Sequence, residues 1–159
     1  MMAGIGERIG PALELPPLFA VLVNPRVAVP TPMVFRALAL EPGQALESSR
    51  GTGGGNGTDT GLARTAPASF ASLNRDRTGL LGWLAAERND LQAPASKIAP
   101  VIAETLAALA ASAGCRLARM SGSGATCFGL YDDCHAAARA ARSLQDAHPG
   151  WWIAPTLLR

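Results

Sequence analysis

A short loop rich in glycine and hydroxyl side chains is the segment of this sequence best suited to chemistry. Residues 121–126 read Ser-Gly-Ser-Gly-Ala-Thr. Glycines let the backbone adopt positive φ and approach a ligand closely. Consecutive amides in such a turn form an anion-binding nest, and Ser and Thr hydroxyls add further donors. The pattern therefore indicates a phosphate-binding loop, with a simple hairpin turn as the alternative.

This loop differs from the two most familiar nucleotide-binding loops. It is not a Walker A loop, because no Gly-Lys-Ser/Thr follows it. It is not a dinucleotide-binding fingerprint either, because an apolar strand-like run follows it rather than a helix. A second glycine-rich stretch, GTGGGNGTDTG at residues 51–61, contains no apolar residue that could join a core. We expect a flexible insertion there, from about residue 41 to residue 67.

Two other groups of residues could do chemistry but fit it poorly. Cys127 and Cys134 could bind a metal together with His135, yet no second pair of ligands stands at the usual spacing. A buried thiol and a solvated imidazole are therefore expected. Ser123 as a nucleophile would need a histidine base. His148 is distant along the chain, and no third member of a triad is evident.

Composition limits the class of protein. The 159 residues suffice for one domain with a real core, and 48% apolar against 16% charged residues is typical of a globular fold. The net charge is only +2, aromatic residues make up 5%, and no Lys/Arg run exists, so no nucleic-acid partner is expected. Three irregularly spaced cysteines favour free thiols in a reducing cytosol. No signal peptide or membrane span is evident, which predicts a cytoplasmic protein without a membrane partner.

Strands and helices alternate around the loop in an order that predicts the fold. Apolar runs predict four strands, at residues 18–23, 115–120, 125–131 and 151–155. Capping residues and apolar spacing predict helices that begin at Thr31, Asp76, Ser96 and Asp133. Without the extra helices the order is strand, helix, strand, strand, helix, strand. That order predicts an α+β fold, a ferredoxin-like split β-α-β sandwich with helices on one face of the sheet.

Four segments, taken in order, resemble one superfamily. Residues 119–131, RMSGSGATCFGLY, resemble the third conserved motif of the GHMP kinases, in the version found in kinases of 4-diphosphocytidyl-2-C-methyl-D-erythritol. Residues 4–7 resemble the strand segment that follows the family's catalytic aspartate. Residues 23–35 resemble its substrate-side segment, and residues 88–91 resemble the head of its long carboxy-terminal helix.

The resemblance implies a function and a set of site residues. The function is ATP- and Mg²⁺-dependent phosphorylation of a cytidine diphosphate sugar alcohol, a step of non-mevalonate isoprenoid synthesis. Thr31 and Pro32 would line the substrate side, and Phe35 would stack on the cytosine ring. The residues near the phosphates would be Ser121, Gly122, Ser123, Gly124 and Thr126.

The resemblance also implies that parts of the kinase are missing from this sequence. The family's phosphate loop (Pro-x-x-x-Gly-Leu-Gly-Gly-Gly-Ser), its catalytic lysine and its catalytic aspartate have no counterpart here. We therefore expect no catalytic residue in this chain, little activity from it alone, and an amino-terminal kinase domain as its partner. Residues 1–15 would be a remnant of that domain, and residues 16–159 the carboxy-terminal domain. The alternative is a non-catalytic ferredoxin-like module that binds a small anion or pairs edge to edge with a partner.

Overall fold

A four-stranded antiparallel sheet forms the centre of the molecule. The computed structural model describes residues 2–3, 8–9, 15–38 and 76–158. The sheet has the order β4-β5-β3-β6. Its strands are β3 (Leu18–Asn24), β4 (Cys115–Met120), β5 (Cys127–Tyr131) and β6 (Trp152–Leu158). The first of these strands in the chain thus lies between the third and the fourth, which is the order of the predicted split β-α-β sandwich.

Two very short strands, β1 (Met2–Ala3) and β2 (Arg8–Ile9), pair antiparallel with each other. Residues 4–7, which contribute to the resemblance, lie outside the described residues, as does the predicted glycine-rich insertion.

Five helices accompany the sheet in the described part of the chain. None of them is long and apolar enough to cross a lipid bilayer. They are α1 (Thr31–Ala37), α2 (Arg77–Ala86), α3 (Gln92–Ile98), α4 (Val101–Ala111) and α5 (Cys134–Ala147).

The sheet is covered by helices on both faces. Successive side chains of a strand point to opposite faces. Val21 and Val23 of β3 lie in the main core with side chains of α4 and α5. Leu18 and Ala20 lie in a second cluster with Leu80 of α2. The predicted α+β sandwich is confirmed, but the expectation of helices on one face only is wrong, because β3 is apolar on both sides.

Two helices begin differently from the sequence prediction. Thr31 is the first residue of α1 rather than its cap, and Pro30 occupies the N-cap position without a side-chain hydrogen bond. Ser96 lies within α3, and the helical segment breaks at Ala99 before Pro100. Ala99 is extended, with φ −132° and ψ 91°. The break follows from sterics, because a residue before proline is disfavoured in the α region.

Helix α5 agrees with the prediction from its cap and its small apolar face. Asp133 is the N-cap, and its carboxylate accepts a hydrogen bond of 2.7 Å from the Ala136 amide. Small side chains let the helix approach the sheet closely. The predicted face is buried throughout, at Ala136, Ala137, Ala140, Ala141 and Leu144.

The capping carboxylate makes the stability of α5 depend on pH. The pKa of Asp133 lies below its usual 3.8, chiefly because the carboxylate accepts the Ala136 hydrogen bond. This interaction therefore stabilises the fold above the unfolded-state pKa and is lost as the pH falls through the lower folded-state pKa. We expect Asp133→Asn, which keeps a capping oxygen, to flatten the acid dependence of unfolding below about pH 4. Urea unfolding of both proteins between about pH 2.5 and 5 measures this. Equal acid slopes would contradict it.

Candidate functional site

The loop at residues 121–126 connects β4 and β5 as a hairpin. The Ser121 amide donates to the Thr126 carbonyl at 2.8 Å, and the Gly124 amide donates to the Ser121 carbonyl at 3.1 Å. Gly122 and Gly124 have φ +57° and +91°, as the sequence led us to expect of glycines in such a turn. Within residues 15–38 and 76–158, the amides of Gly122 and Ser123 donate to no protein acceptor. The hairpin thus keeps two backbone donors available for an anion.

The substrate-side helix reaches this loop through a hydroxyl pair. Thr31 Oγ1 and Ser123 Oγ are 2.9 Å apart, at hydrogen-bond distance. Because Thr31 is the first residue of α1, its hydroxyl extends across to the loop instead of capping its own helix. The contact brings together one residue from each of the two predicted parts of the site.

A second contact holds the other end of the loop. Asn24, at the end of β3, donates from Nδ2 to Thr126 Oγ1 at 2.9 Å. Its Oδ1 accepts from the Arg26 amide at 2.7 Å, which forms an Asx turn. Arg26 has φ +59°, an uncommon conformation for a residue with a side chain. The sequence prediction did not name Asn24 or Arg26 as site residues, although both lie in the substrate-side segment and Asn-Pro after an apolar strand is a recognisable turn signal.

A third contact comes from the corner between α2 and α3. Asn89 Nδ2 donates to the carbonyl oxygens of Met120 at 2.9 Å and of Gly122 at 2.8 Å. Asn89 lies in the 88–91 segment that supported the resemblance, but no sequence pattern indicated its contact with the loop. Arg119, beside the loop in sequence, donates instead to the Leu84 carbonyl of α2 at 2.8 Å.

The two remaining substrate-side residues lie on the exposed surface of α1. Pro32 follows Thr31 directly, and the Phe35 side chain is 54% exposed. In the described part of the chain no hydrogen bond or ring contact joins either residue to the glycine loop. The structure therefore brings Thr31 to the loop, while Phe35 offers a free aromatic face one turn further along the same helix.

The thiols and acidic groups provide no alternative site among the described residues. Burial raises the pKa of the Cys127 thiol to about 12, so it stays protonated at neutral pH, as expected of a buried thiol. Cys134 and His135 are exposed at the start of α5. Across the described ranges, no group of three or more His, Cys, Asp or Glu side chains could hold a metal ion.

The two loop glycines should respond differently to a methyl group. A Cβ at Gly124 would lie 2.9 Å from Met120 Sδ and 3.2 Å from Ile102 Cδ1, and both neighbours are buried. At Gly122 a Cβ would meet nothing within 4 Å. Gly124→Ala should cost about 2–5 kcal/mol through backbone strain and overpacking together. Gly122→Ala, the matched control, should cost about 1–2 kcal/mol from its left-handed conformation alone. Urea denaturation compares them, and equal losses would contradict the packing argument.

Comparison with known proteins agrees with this geometry. A family model described as "GHMP kinases C terminal" matches residues 69–150, just over half of the chain. The 4-diphosphocytidyl-2-C-methyl-D-erythritol kinase of Methylobacterium radiotolerans is 54% identical over 159 residues, which cover 100% of this chain and 49% of that protein. The same kinase of a Methylorubrum extorquens strain is 50% identical over 158 residues, or 99% of this chain and 48% of the relative.

A solved structure of 4-(cytidine 5'-diphospho)-2C-methyl-D-erythritol kinase superposes with a TM-score of 0.58 at 31% identity. The match covers 96% of this chain and 47% of that one. The chain thus spans about half the length of the relatives it matches. The loop, the split β-α-β sheet and the family model lead to one conclusion: the chain belongs to the GHMP kinase family and carries its carboxy-terminal domain.

Proposed function

We propose that this chain is the carboxy-terminal part of a cytoplasmic kinase that transfers a phosphoryl group from ATP to 4-diphosphocytidyl-2-C-methyl-D-erythritol, in non-mevalonate isoprenoid synthesis. The observation that carries the proposal is the 2.9 Å contact between Thr31 and Ser123. It joins a helix with an exposed aromatic ring to a loop in which two amides have no acceptor within the described residues. Relatives named for this kinase, at 50–54% identity, support the same assignment.

The glycine loop is the proposed phosphate side of the site. Phosphoryl transfer depends mainly on positioning and on stabilising charge that spreads over the phosphoryl oxygens. The amides of Gly122 and Ser123, which have no acceptor among the described residues, would supply fixed donors for such oxygens. The hydroxyls of Ser121, Ser123 and Thr126 add donors beside them. Gly124 contributes by its shape, since a side chain there would displace Met120.

Helix α1 is the proposed substrate side. A half-exposed phenyl ring at Phe35 can stack on any base, and a pyrimidine fits this use. Thr31 and Pro32, in the first turn of the same helix, would then face the part of the substrate between the base and the loop. The shared hydrogen bond with Ser123 would fix the distance between nucleoside and phosphate.

Groups that bind the cofactors would come both from this chain and from the remainder of the proposed kinase. ATP phosphates would bind the amides of Gly122 and Ser123, for which the described part of the chain offers no acceptor. A Mg²⁺ ion would be held by one or two carboxylates together with the ATP phosphates. Among the described residues, no group of three or more His, Cys, Asp or Glu side chains could hold a metal ion. The family's phosphate loop, catalytic lysine and catalytic aspartate would come from an amino-terminal kinase domain. Residues 1–15 are the proposed end of that domain. Residues 16–159 are the proposed second domain, with an insertion at about 41–67.

A chimera tests the proposed activity. The matching half of the Methylobacterium radiotolerans kinase is replaced by this chain, and ATP-dependent phosphorylation of 4-diphosphocytidyl-2-C-methyl-D-erythritol is followed by ADP release. We expect the chimera to turn over and the 159-residue chain alone to be inactive, because losing catalytic groups costs several powers of ten. A folded but inactive chimera would refute the kinase assignment and favour an anion-binding module. Turnover by the chain alone within about a hundredfold of the chimera would place the chemistry on other residues.

Substitution of the exposed ring tests the substrate side. In the chimera, Phe35→Ala should weaken CDP binding by about 5- to 150-fold, the equivalent of one lost stacking contact of about 1–3 kcal/mol. Met33→Ala is the matched control, because Met33 is 50% exposed on the same helix and has no assigned role. Isothermal titration with CDP measures all three proteins. Equal affinity of Phe35→Ala and the unsubstituted chimera would remove Phe35 from the site.

A further inference from the structure

Asn89 uses its whole side-chain amide to hold the beginning of the glycine loop. Both Nδ2 hydrogens are directed at backbone carbonyls, to Met120 at 2.9 Å and to Gly122 at 2.8 Å. Its Oδ1 accepts from the Leu91 amide at 3.0 Å. One side chain thus clamps two carbonyls on either side of Ser121 and is itself fixed by its own segment.

The same segment also holds the last residue of β4. Gln92 Oε1 accepts from the Met120 amide at 3.1 Å, so residues 89 and 92 together bind both backbone polar groups of Met120. Met120 is buried, and its sulfur lies 2.9 Å from the position that a Cβ at Gly124 would take. Gln92 therefore fixes the end of the strand, whereas only Asn89 reaches into the loop at Gly122.

Because a peptide unit is planar, the hydrogen bond to the Gly122 carbonyl also fixes the direction of the Ser123 amide. The carbonyl of Gly122 and the N–H of Ser123 belong to one peptide unit, which is planar and here trans, so the two groups point in opposite directions. A glycine gives this unit little resistance to rotation, because glycine occupies positive and negative φ about equally. Holding the Gly122 oxygen against Asn89 therefore directs the Ser123 N–H away from Asn89. That N–H has no acceptor among the described residues.

We infer that Asn89 is a positioning residue for phosphate: by fixing the peptide between Gly122 and Ser123, it orients the amide that binds a phosphoryl oxygen. The inference rests on the proposed function, because it assigns the phosphate side of that site. Asn89 itself would touch neither nucleotide nor substrate. It acts through the loop backbone, where a misplacement of about 1 Å can cost a hundredfold in rate.

Two substitutions separate loop orientation from simple support of the fold. Asn89→Asp has nearly the same shape and keeps the acceptor for Leu91, but an ionised carboxylate donates to neither carbonyl and repels both. Gln92→Ala is the matched control, since it removes the hydrogen bond to the Met120 amide and leaves the peptide at Gly122 held. Asn89→Gln keeps both donors on a side chain longer by one methylene. It serves as the second variant if Asn89→Asp does not fold, and an intermediate loss is expected from it.

The first measurement is steady-state kinetics in the chimera, corrected for the folded fraction by urea unfolding. We expect Asn89→Asp to lower kcat/KM for ATP by at least about tenfold per folded molecule. For Gln92→Ala, kcat/KM per folded molecule should stay within about twofold, although the protein loses some stability because the Met120 amide loses its acceptor. An Asn89→Asp chimera with unchanged kcat and KM per folded molecule would overturn the inference.

The second measurement is independent of activity. Inorganic pyrophosphate is titrated into the 159-residue chain while the ¹⁵N–¹H signals of Gly122 and Ser123 are followed. We expect both signals to shift in the unsubstituted chain and in Gln92→Ala, and to respond at least about tenfold more weakly in Asn89→Asp. If the chimera is inactive but this difference holds, the kinase assignment fails and the positioning role stands. If the chimera is active and all three chains respond alike, the positioning role fails and the kinase assignment stands.

Discussion

The antiparallel pairing of β3 with β5 is the constraint on which the site depends. Val23 lies opposite Cys127, so the end of β3 and the end of the glycine loop meet at the same edge of the sheet. Asn24 can then bond Thr126 although the two are 102 positions apart. A slip of one residue would exchange the two faces of β3, which would move Val21 and Val23 out of the main core and separate Asn24 from Thr126. Because both faces of β3 are packed against helices, that register is strongly specified.

Neutral hydrogen bonds, rather than ion pairs, hold the loop in the described part of the structure. Thr31, Asn24 and Asn89 bind it from three different elements, each through a hydroxyl or an amide. A neutral hydrogen bond contributes only about 0.5–1.5 kcal/mol of stability. These contacts are therefore more important for orienting the backbone amides of the loop than for stabilising the fold. Directed amides are what an anion nest requires, since the donors must be in place before the charge arrives.

The fold by itself says little about the reaction, because ferredoxin-like sandwiches serve many unrelated functions. What distinguishes this one is where its hairpin loop and its first helix meet. The family model matches over the part of the chain that carries the loop, and the relatives continue for about as many residues again. In the proposed function the loop supplies backbone donors, and the catalytic groups would come from the amino-terminal domain.

The sequence by itself determined the four strands of the main sheet, the alanine face of α5 with its Asp133 cap, and the turn made by Gly122 and Gly124, because each depends on neighbours within a few positions. Motif resemblance also indicated the family. Only the tertiary structure decided that the Thr31 hydroxyl binds Ser123, 92 positions away, instead of capping α1. The same holds for the clamp of Asn89 on Gly122 and for the helix α2 on the second face of the sheet. Short-range sequence patterns indicate which hydrogen bonds a side chain is able to make. Its actual partner depends on which distant segments the folded sheet brings within about 3 Å.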